Sequence, residues 1–250
     1  MSLISDFKDH LKSKYINLPD VYDNIIVFFT QYIFHIFGII YFNFKHLPFK
    51  QAIKLPIWII ARRPSSYKGK VIIDAEKITC GMIQMGHRVS LNYRKGVVFV
   101  NKGSVTFKGN CLIGNESFIW TWEKGNIIFG NNLGASSSQF ISMRSMEFKE
   151  NINIGFDCVF MDTDFHAIKY MNKKLKVTGP VVIGSNTWIG AKCIVKKNTH
   201  TPNYCIVGAN SVLDKFYKYP EHCIISGNPA ELKGEKFTWD KFDDLPIDVY

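Results

Sequence analysis

The sequence predicts an all-β fold, a parallel β-helix in which each turn of the chain is a three-sided coil of short strands. Two observations lead to this prediction. Single apolar residues return at every sixth position over much of the chain, and Gly and Asn recur between them. A period of six fits neither an amphipathic helix nor an alternating hairpin, whereas repeats of fixed length are typical of solenoids.

The repeat is most regular between residues 183 and 213, where only Thr201 is polar. The other positions of this array are Ile183, Ile189, Val195, Val207 and Leu213. Three shorter arrays upstream have the same spacing: Phe107, Ile113, Ile119; Phe129, Ala135, Ile141; and Phe148, Ile154, Phe160. We expect each hexapeptide to form one side of a coil, with its apolar residue inward and a small residue at the corner, where φ can be positive. The breaks of 10, 7 and 23 residues between arrays predict loops at corners.

The change in composition and repeat pattern along the chain predicts three parts. Residues 1–70 form a helical, aromatic and basic segment, residues 71–228 form the β-helix, and residues 229–250 form a short C-terminal tail. A chain of 250 residues with 46% apolar and 21% charged residues excludes wholesale disorder, collagen and coiled coil.

The net charge of +10 predicts an anionic partner, which can be nucleic acid, phospholipid or a phosphorylated small molecule. The charge is dispersed and no recognised nucleic-acid motif is present, so nucleic acid is the weakest of the three candidate partners.

The six Cys residues form no CxxC pair, which predicts free thiols in a reducing compartment. No signal peptide is visible. We therefore expect a cytoplasmic protein, or one at the inner face of the membrane.

Residues 24–44 form an apolar run interrupted by Thr30, Gln31 and His35. Three readings stay open: a helix packed against protein, a helix lying at a membrane surface, and a true membrane span. The basic and proline residues that follow suit anionic headgroups or a solvated linker; they are Lys45, Pro48, Lys50, Lys54, Pro56, Arg62, Arg63 and Pro64.

Several segments resemble a known family. PVVIGSNTWIGA at 180–191, IVGANSVLDK at 206–215 and SGNPA at 226–230 resemble the C-terminal half of hexapeptide-repeat acyltransferases, which include maltose and galactoside acetyltransferases. MDTDFH at 161–166 and LPFKQAIKLPI at 47–57 resemble the sugar O-acetyltransferases of surface polysaccharide synthesis. The resemblance implies a left-handed β-helix, a homotrimer with sites between subunits, acetyl-CoA as co-substrate and a sugar or glycan hydroxyl as acceptor.

The resemblance makes His166 the candidate general base, because a neutral imidazole can take the hydroxyl proton and return it to the departing thiolate. Asp164 or Asp162 can orient its ring, bind sugar hydroxyls, or merely cap a turn. Aligning Ile141 with Phe160 in neighbouring coils puts Ser145 beside Asp164 and Arg144 beside Thr163, so Arg144 is a candidate to steady the acidic pair. No metal is expected.

The resemblance also implies where coenzyme A binds. The backbone of Gly190, Ala191, Gly208 and Ala209 would bind the pantetheine arm, with the Ala191 N–H as oxyanion donor. Trp188 either lines that groove or simply faces outward. Lys215 matches a lysine that contacts the coenzyme A phosphate. Glu231 departs from the usual basic residue after the NPA motif, and Lys233 and Lys236 are candidates to compensate for it.

Three alternatives remain. The same scaffold can acylate the amine of an amino-sugar nucleotide, since nothing in the sequence separates amine from hydroxyl acceptors. A hydratase would need three His ligands on zinc, for which His87, His166 and His200 are the candidates. A non-enzymatic, membrane-docked β-solenoid would explain the N-terminal segment but not MDTDFH.

Overall fold

A computed structural model describes residues 28–87 and 94–239 of the chain. The chain divides into two compact units, residues 1–34 and 35–250. In the first unit, Phe28–Tyr32 forms one turn of π-helix, and a short 3-10 turn, Ile33–His35, follows it. What the sequence predicts for residues 1–27 and 240–250 lies outside the described residues.

The second unit consists mainly of short strands. In chain order they are β1 Ile57–Ile59, β2 Ser66–Tyr67, β3 Lys70–Ile73, β4 Ile83–His87, β5 Val98–Asn101, β6 Ser104–Phe107, β7 Cys111–Gly114, β8 Phe118–Thr121, β9 Asn126–Phe129, β10 Leu133–Ala135, β11 Gln139–Ser142, β12 Met146–Phe148, β13 Ile152–Ile154, β14 Val159–Met161, β15 Lys169–Tyr170, β16 Lys173–Lys174, β17 Val181–Ile183, β18 Thr187–Ile189, β19 Ile194–Val195, β20 Cys205–Val207, β21 Val212–Leu213, β22 Cys223–Gly227 and β23 Ala230–Glu235.

Except for β15 and β16, which pair with each other, these strands form three long sheets that the chain visits in turn. Sheet one has the order β1-β4-β7-β10-β13-β18-β20-β22-β23, sheet two β2-β5-β8-β11-β14-β19-β21, and sheet three β3-β6-β9-β12-β17. Neighbours pair in parallel except β22 and β23. Bridges from Val182 through His200 to Phe216 continue sheet three. The predicted parallel β-helix of hexapeptide coils is confirmed.

The sheets contribute buried ladders to the interior, because equivalent residues of successive coils lie in register. One ladder of sheet three is Ile73, Phe107, Phe129, Phe148 and Ile183. The rings of Phe107 and Phe129 stack with centroids 5.5 Å apart, as do those of Phe129 and Phe148. These side chains are 0–6% exposed. The core is therefore a continuous column that no single coil could form.

The pairing of β11 with β14 shows that one predicted array is wrong at its last position. Phe140, and not Ile141, is the inward residue of β11, since Phe140 pairs with Phe160 while Ile141 pairs with Met161. The spacing from Ala135 to Phe140 is five, because the corner at Ser136–Ser138 is tight, with Ser137 at φ 47°. The Phe140 ring is wholly buried and stacks on Phe160 at 5.3 Å. The predicted pairing that rested on Ile141 is wrong by one residue.

A second expectation, that small residues adopt the positive φ at the corners of the coil, is also wrong. Asn residues take the left-handed conformation at the corners, among them Asn132, Asn151, Asn186, Asn198 and Asn210. The corner glycines are needed because the next coil lies too close for a side chain. A Cβ at residue 155 would lie 2.7 Å from the Ala191 nitrogen, and one at residue 190 would lie 2.7 Å from the Ala209 nitrogen.

Two helices cover the first coil. Helix α1, Ile36–His46, buries Ile39, Phe42 and Asn43, and helix α2, Phe49–Ala52, follows it. The Asn43 amide donates to the carbonyl of Ile57 at 2.7 Å and accepts from its N–H at 3.1 Å, so it binds α1 to the edge of sheet one. Within residues 28–87 and 94–239, no helix is long and apolar enough to cross a membrane.

The β-helix extends beyond the predicted boundaries at both ends. Strand β1 already pairs in parallel with β4, so sheet one begins at Ile57 rather than at Val71. At the other end, residues predicted as tail form β23, which turns back along β22. Edge strands expose unpaired backbone groups, and the hairpin covers one such edge. The two ends are thus capped by different means.

Phe148 sits where the Phe ladders of sheets two and three meet, with Phe160 at 5.0 Å and Phe140 at 5.4 Å. We expect Phe148→Ala to lower the free energy of unfolding by about 3–5 kcal/mol, because the rigid column cannot close the cavity. Urea unfolding followed by circular dichroism measures it. Phe118→Ala, on the outward face of β8, is the matched control. Equal losses in the two variants would contradict the ladder.

Candidate active site

A loop of residues 162–180 leaves the β-helix between β14 and β17, at the corner where sheet two meets sheet three. Two backbone hydrogen bonds join the two ends of the loop, and we call this base its neck. Gly179 N–H donates to Asp162 O at 2.9 Å, and Asp164 N–H donates to Val177 O at 2.9 Å. The hairpin β15–β16 forms its exposed end. The loop lies within the 23-residue break of the sequence pattern between Phe160 and Ile183, and residues 162–166 of the MDTDFH segment stand at its start.

Asp162 is wholly buried and holds the neighbouring coil. Its carboxylate accepts hydrogen bonds from the Ser142 hydroxyl at 2.7 Å, the Met143 N–H at 2.7 Å and the Arg144 N–H at 2.9 Å. A carboxylate that satisfies three donors at the root of the loop fixes the loop's direction. Of the roles that the sequence left open for Asp162, the structure supports the capping of a turn.

The expectation that the charge of Arg144 steadies the acidic pair is corrected. Its contact with Asp162 is made by its backbone N–H. Among the described residues, the Arg144 guanidinium forms no ion pair. The ion pair at this corner comes from the next coil instead, where Lys197 Nζ lies 2.5 Å from Asp164 Oδ2 and also donates to the Lys176 carbonyl.

His166 follows immediately on the exposed part of the loop. Its N–H donates to the Asp164 carbonyl at 2.7 Å. In the part of the chain that the structure describes, its ring makes no hydrogen bond, and its side chain faces solvent. The imidazole is therefore accessible to a ligand, and its nearest acidic neighbour in sequence, Asp164, is held by Lys197.

An aromatic wall, Trp120, Trp122 and Phe165, stands beside His166. The Phe165 ring stacks on Trp120 with centroids 5.7 Å apart and planes 18° apart. Trp122 meets Trp120 edge to face at 5.7 Å, and Lys102 Nζ lies 3.8 Å above the Trp122 ring. Phe165 has φ 61°, an uncommon conformation for an aromatic residue, which turns its ring back onto the wall.

Sequence reasoning missed this wall and Lys197. A signal for the wall was present: Trp120 and Trp122 alternate with Thr121 in FIWTW, and alternation places both outside the coil. No local signal pointed to Lys197. Its contact with Asp164 arises only because the two residues occupy the same corner in successive coils.

The four residues predicted to bind pantetheine lie together at a different corner, between sheets one and two. Gly190 and Gly208 stack there, with Ala191 and Ala209 after them. Among the described residues, the N–H groups of Ala191 and Ala209 donate no hydrogen bond, whereas Gly190 N–H donates to Val207 O at 2.8 Å. Trp188 is 42% exposed on the adjoining face and packs against Trp239 at 6.2 Å. Two free donors beside small residues suit a ligand that approaches the backbone.

Within one protomer, Ala191 and the root of the His166 loop lie at different corners of the coil. The two corners are at opposite ends of a six-residue side, on the order of 15–20 Å apart at about 3.3 Å per residue. An oxyanion donor must lie within about 3 Å of the reacting oxygen. Among the described residues, His166 makes no hydrogen bond with Ala191.

Lys215 lies at the same corner as the His166 loop and is paired with Glu231. Its Nζ is 2.5 Å from Glu231 Oε1, and the Tyr219 hydroxyl donates to Oε2 at 2.6 Å. The hydrogen bond raises the pKa of the Lys215 ammonium and lowers the pKa of the Glu231 carboxyl. The pair is solvent-exposed, so a phosphate can compete with Glu231 for Lys215.

The candidate zinc ligands do not share a site: His87 lies on sheet one, His166 on the loop and His200 on sheet three. Within residues 28–87 and 94–239, no three His, Cys, Asp or Glu side chains are placed to hold a metal ion.

No protein-family model matches the chain, and no curated protein matches it. Among solved structures, the polysialic-acid-specific acetyltransferase NeuO is 12% identical, with 77% of this chain and 92% of that chain covered and a TM-score of 0.41. AntD, an N-acyltransferase from Bacillus cereus in complex with dTDP and 3-hydroxybutyryl-CoA, is 16% identical, with 76% and 89% covered and a TM-score of 0.39. A maltose O-acetyltransferase from Clostridium difficile 630 is 13% identical, with 79% and 82% covered and a TM-score of 0.35.

Replacing Asp162 should lower the free energy of unfolding more than replacing Asp164. Asp162→Ala leaves the partly buried N–H groups of Met143 and Arg144 without their acceptor, so we expect a loss of about 2–4 kcal/mol. Asp164→Ala removes a partly exposed ion pair and should cost less than about 1 kcal/mol. Urea unfolding of both variants at one protein concentration measures the difference. A larger loss in Asp164→Ala would contradict these roles.

Proposed function

We propose that this protein is an O-acetyltransferase that transfers an acetyl group from acetyl-CoA to a sugar hydroxyl in the synthesis of a surface polysaccharide. The observation that carries the proposal is the accessible imidazole of His166, held on a loop with a closed neck beside an aromatic wall. The MDTDFH segment and the C-terminal motifs that resemble acyltransferases supply the reaction class.

In the proposed reaction, the neutral ring of His166 accepts the proton of the acceptor hydroxyl as its oxygen attacks the thioester carbonyl. A C–O bond forms and the carbonyl becomes a tetrahedral oxyanion. When the C–S bond breaks, the imidazolium returns the proton to the thiolate, so that the products are the O-acetyl sugar and coenzyme A. The residue ends each cycle in its starting state.

The free N–H of Ala191 would stabilise the oxyanion, because a fixed backbone dipole needs no reorganisation as the charge develops. Since Ala191 and His166 lie at different corners, the donor would come from a neighbouring copy. We therefore propose a homotrimer with three sites, each between two subunits, in which Gly190, Ala191, Gly208 and Ala209 of one subunit face the His166 loop of another.

The remaining residues divide into positioning and recognition. Asp162 would act as a positioning residue that fixes the root of the loop, and Asp164 with Lys197 would set the charge beside the imidazole. Trp120, Trp122 and Phe165 would receive the apolar C–H face of a sugar ring. Lys215 would contact a phosphate of coenzyme A, and Trp188 would line the pantetheine groove. The cytoplasm, where acyl-CoA is made, is the proposed compartment.

His166→Ala should lower the rate of acetyl transfer by about 10²–10⁴-fold, the usual contribution of a general base. Release of free thiol from acetyl-CoA, over a panel of nucleotide sugars and surface glycans, measures it. His200→Ala is the matched control, a half-buried histidine on sheet three, away from the loop. Retained turnover in His166→Ala would overturn the proposal, and release with amino-sugar acceptors alone would favour N-acylation.

Glu231→Gln should strengthen coenzyme A binding, since it frees Lys215 from its carboxylate partner. An exposed pair of this kind contributes little, so the KM for acetyl-CoA should fall by only about two- to fivefold. Screening should abolish the difference at about 1 M salt. Lys215→Met should raise the KM, and an unchanged KM in both variants would remove Lys215 from the site.

A further inference from the structure

The outer face of the N-terminal helices is apolar, aromatic and uncovered in the described structure. We call this surface the aromatic face; its residues and their exposures are Phe37 84%, Ile40 40%, Tyr41 56%, Phe44 46%, Phe49 70% and Ile53 55%. Large apolar residues at this density on a surface mark a site of interaction. None of them belongs to the proposed active site.

The face does not arise from loose packing of the helices, because α1 has a second apolar side that is fully used. Ile39 and Phe42 are 0–1% exposed, and the Phe42 ring meets Tyr67 at 5.1 Å and Phe99 at 5.8 Å. Phe37, Tyr41 and Phe44 follow one another at helical spacing on the other side. Phe44 and Phe49 meet edge to face at 6.0 Å, so the face continues from α1 onto α2.

The segment that carries the face has charges of a single sign, although Arg62, beyond the helices, pairs with Glu116 of a later coil at 3.9 Å. Residues 28–73 contain no Asp or Glu, and their cationic residues are Lys45, Lys50, Lys54, Arg62, Arg63, Lys68 and Lys70. Lys45 lies on the Tyr41 ring at 5.2 Å, at the rim of the face. Lys45 and Lys70 also line a groove of about 440 Å³ between the helices and β3.

From this combination we infer that the aromatic face docks on the surface of an anionic phospholipid membrane. Aromatic rings suit the boundary between headgroups and acyl chains, and lysines beside them are attracted to anionic headgroups. A second copy of the chain fits this surface poorly. A two-fold contact would place the same cationic rim against itself, with no acidic residue of the segment to offset the repulsion.

Docking in this manner would bring the protein to the lipid-carried intermediates on which membrane-bound glycans are assembled. It does not depend on the proposed acetyl transfer, because the face and the His166 loop are separate surfaces built from different parts of the chain. The two proposals can therefore fail independently.

Co-sedimentation of the full chain with vesicles tests the inference. We expect binding to vesicles of phosphatidylcholine with about 30% phosphatidylglycerol, at least about tenfold weaker binding to phosphatidylcholine alone, and loss of binding at about 0.5 M salt. The double variant Phe37→Ser/Phe49→Ser should bind anionic vesicles at least about tenfold more weakly, and Lys45→Glu/Lys50→Glu should do the same. Both should keep their thiol-release activity on soluble acceptors.

Phe216→Ser is the matched control, an aromatic residue that is 53% exposed on the far coils of the β-helix, and it should bind vesicles normally. Light scattering coupled to size exclusion reports the mass of each variant. Failure of the full chain to bind anionic vesicles would overturn the inference. So would equal binding by the Phe37→Ser/Phe49→Ser variant, or a fall in its mass, which would show that the face joins copies of the chain.

Discussion

A coil of this protein buries its apolar side chains only when another coil lies directly above or below it. Phe148 shows the constraint: its ring is covered by Phe129 of the preceding coil and by Phe140 and Phe160 of the neighbouring sheet. Parallel strand pairing and side-chain stacking act along the same axis. Register is consequently shared by all coils, and the corner glycines preserve it by letting backbones approach.

The inward side chains of each coil stack against those of the next coil. Functional residues can therefore lie only at the corners and on the outward face. The loop that carries His166 leaves one corner, and the Asp162 carboxylate ties its root to the preceding coil. The free donors of Ala191 and Ala209 occupy another corner. A rigid prism cannot fold one corner onto another, so the proposed site, which uses both corners, requires the second subunit of the proposed trimer.

Since a coil is covered only by its neighbours, the first and last coils each have an uncovered edge. The two edges are covered by different elements. At the C-terminal end, β23 simply turns back on β22. At the N-terminal end, α1 is joined to β1 through Asn43 and presents a second, aromatic side outward. A cap needs only one apolar side, so the second side and its cationic rim are a feature that the folding of the β-helix does not require.

The fold class could be predicted from the sequence, since a six-residue apolar period is compatible with few architectures, and the break between Phe160 and Ile183 indicated the loop. Which residues meet could not be predicted in this way. Phe140 rather than Ile141 points inward because a five-residue corner shifts the register, Asp162 is buried while Asp164 pairs with Lys197, and His166 and Ala191 lie at separate corners. These outcomes depend on contacts between successive coils, and spacing along one coil carries no information about them.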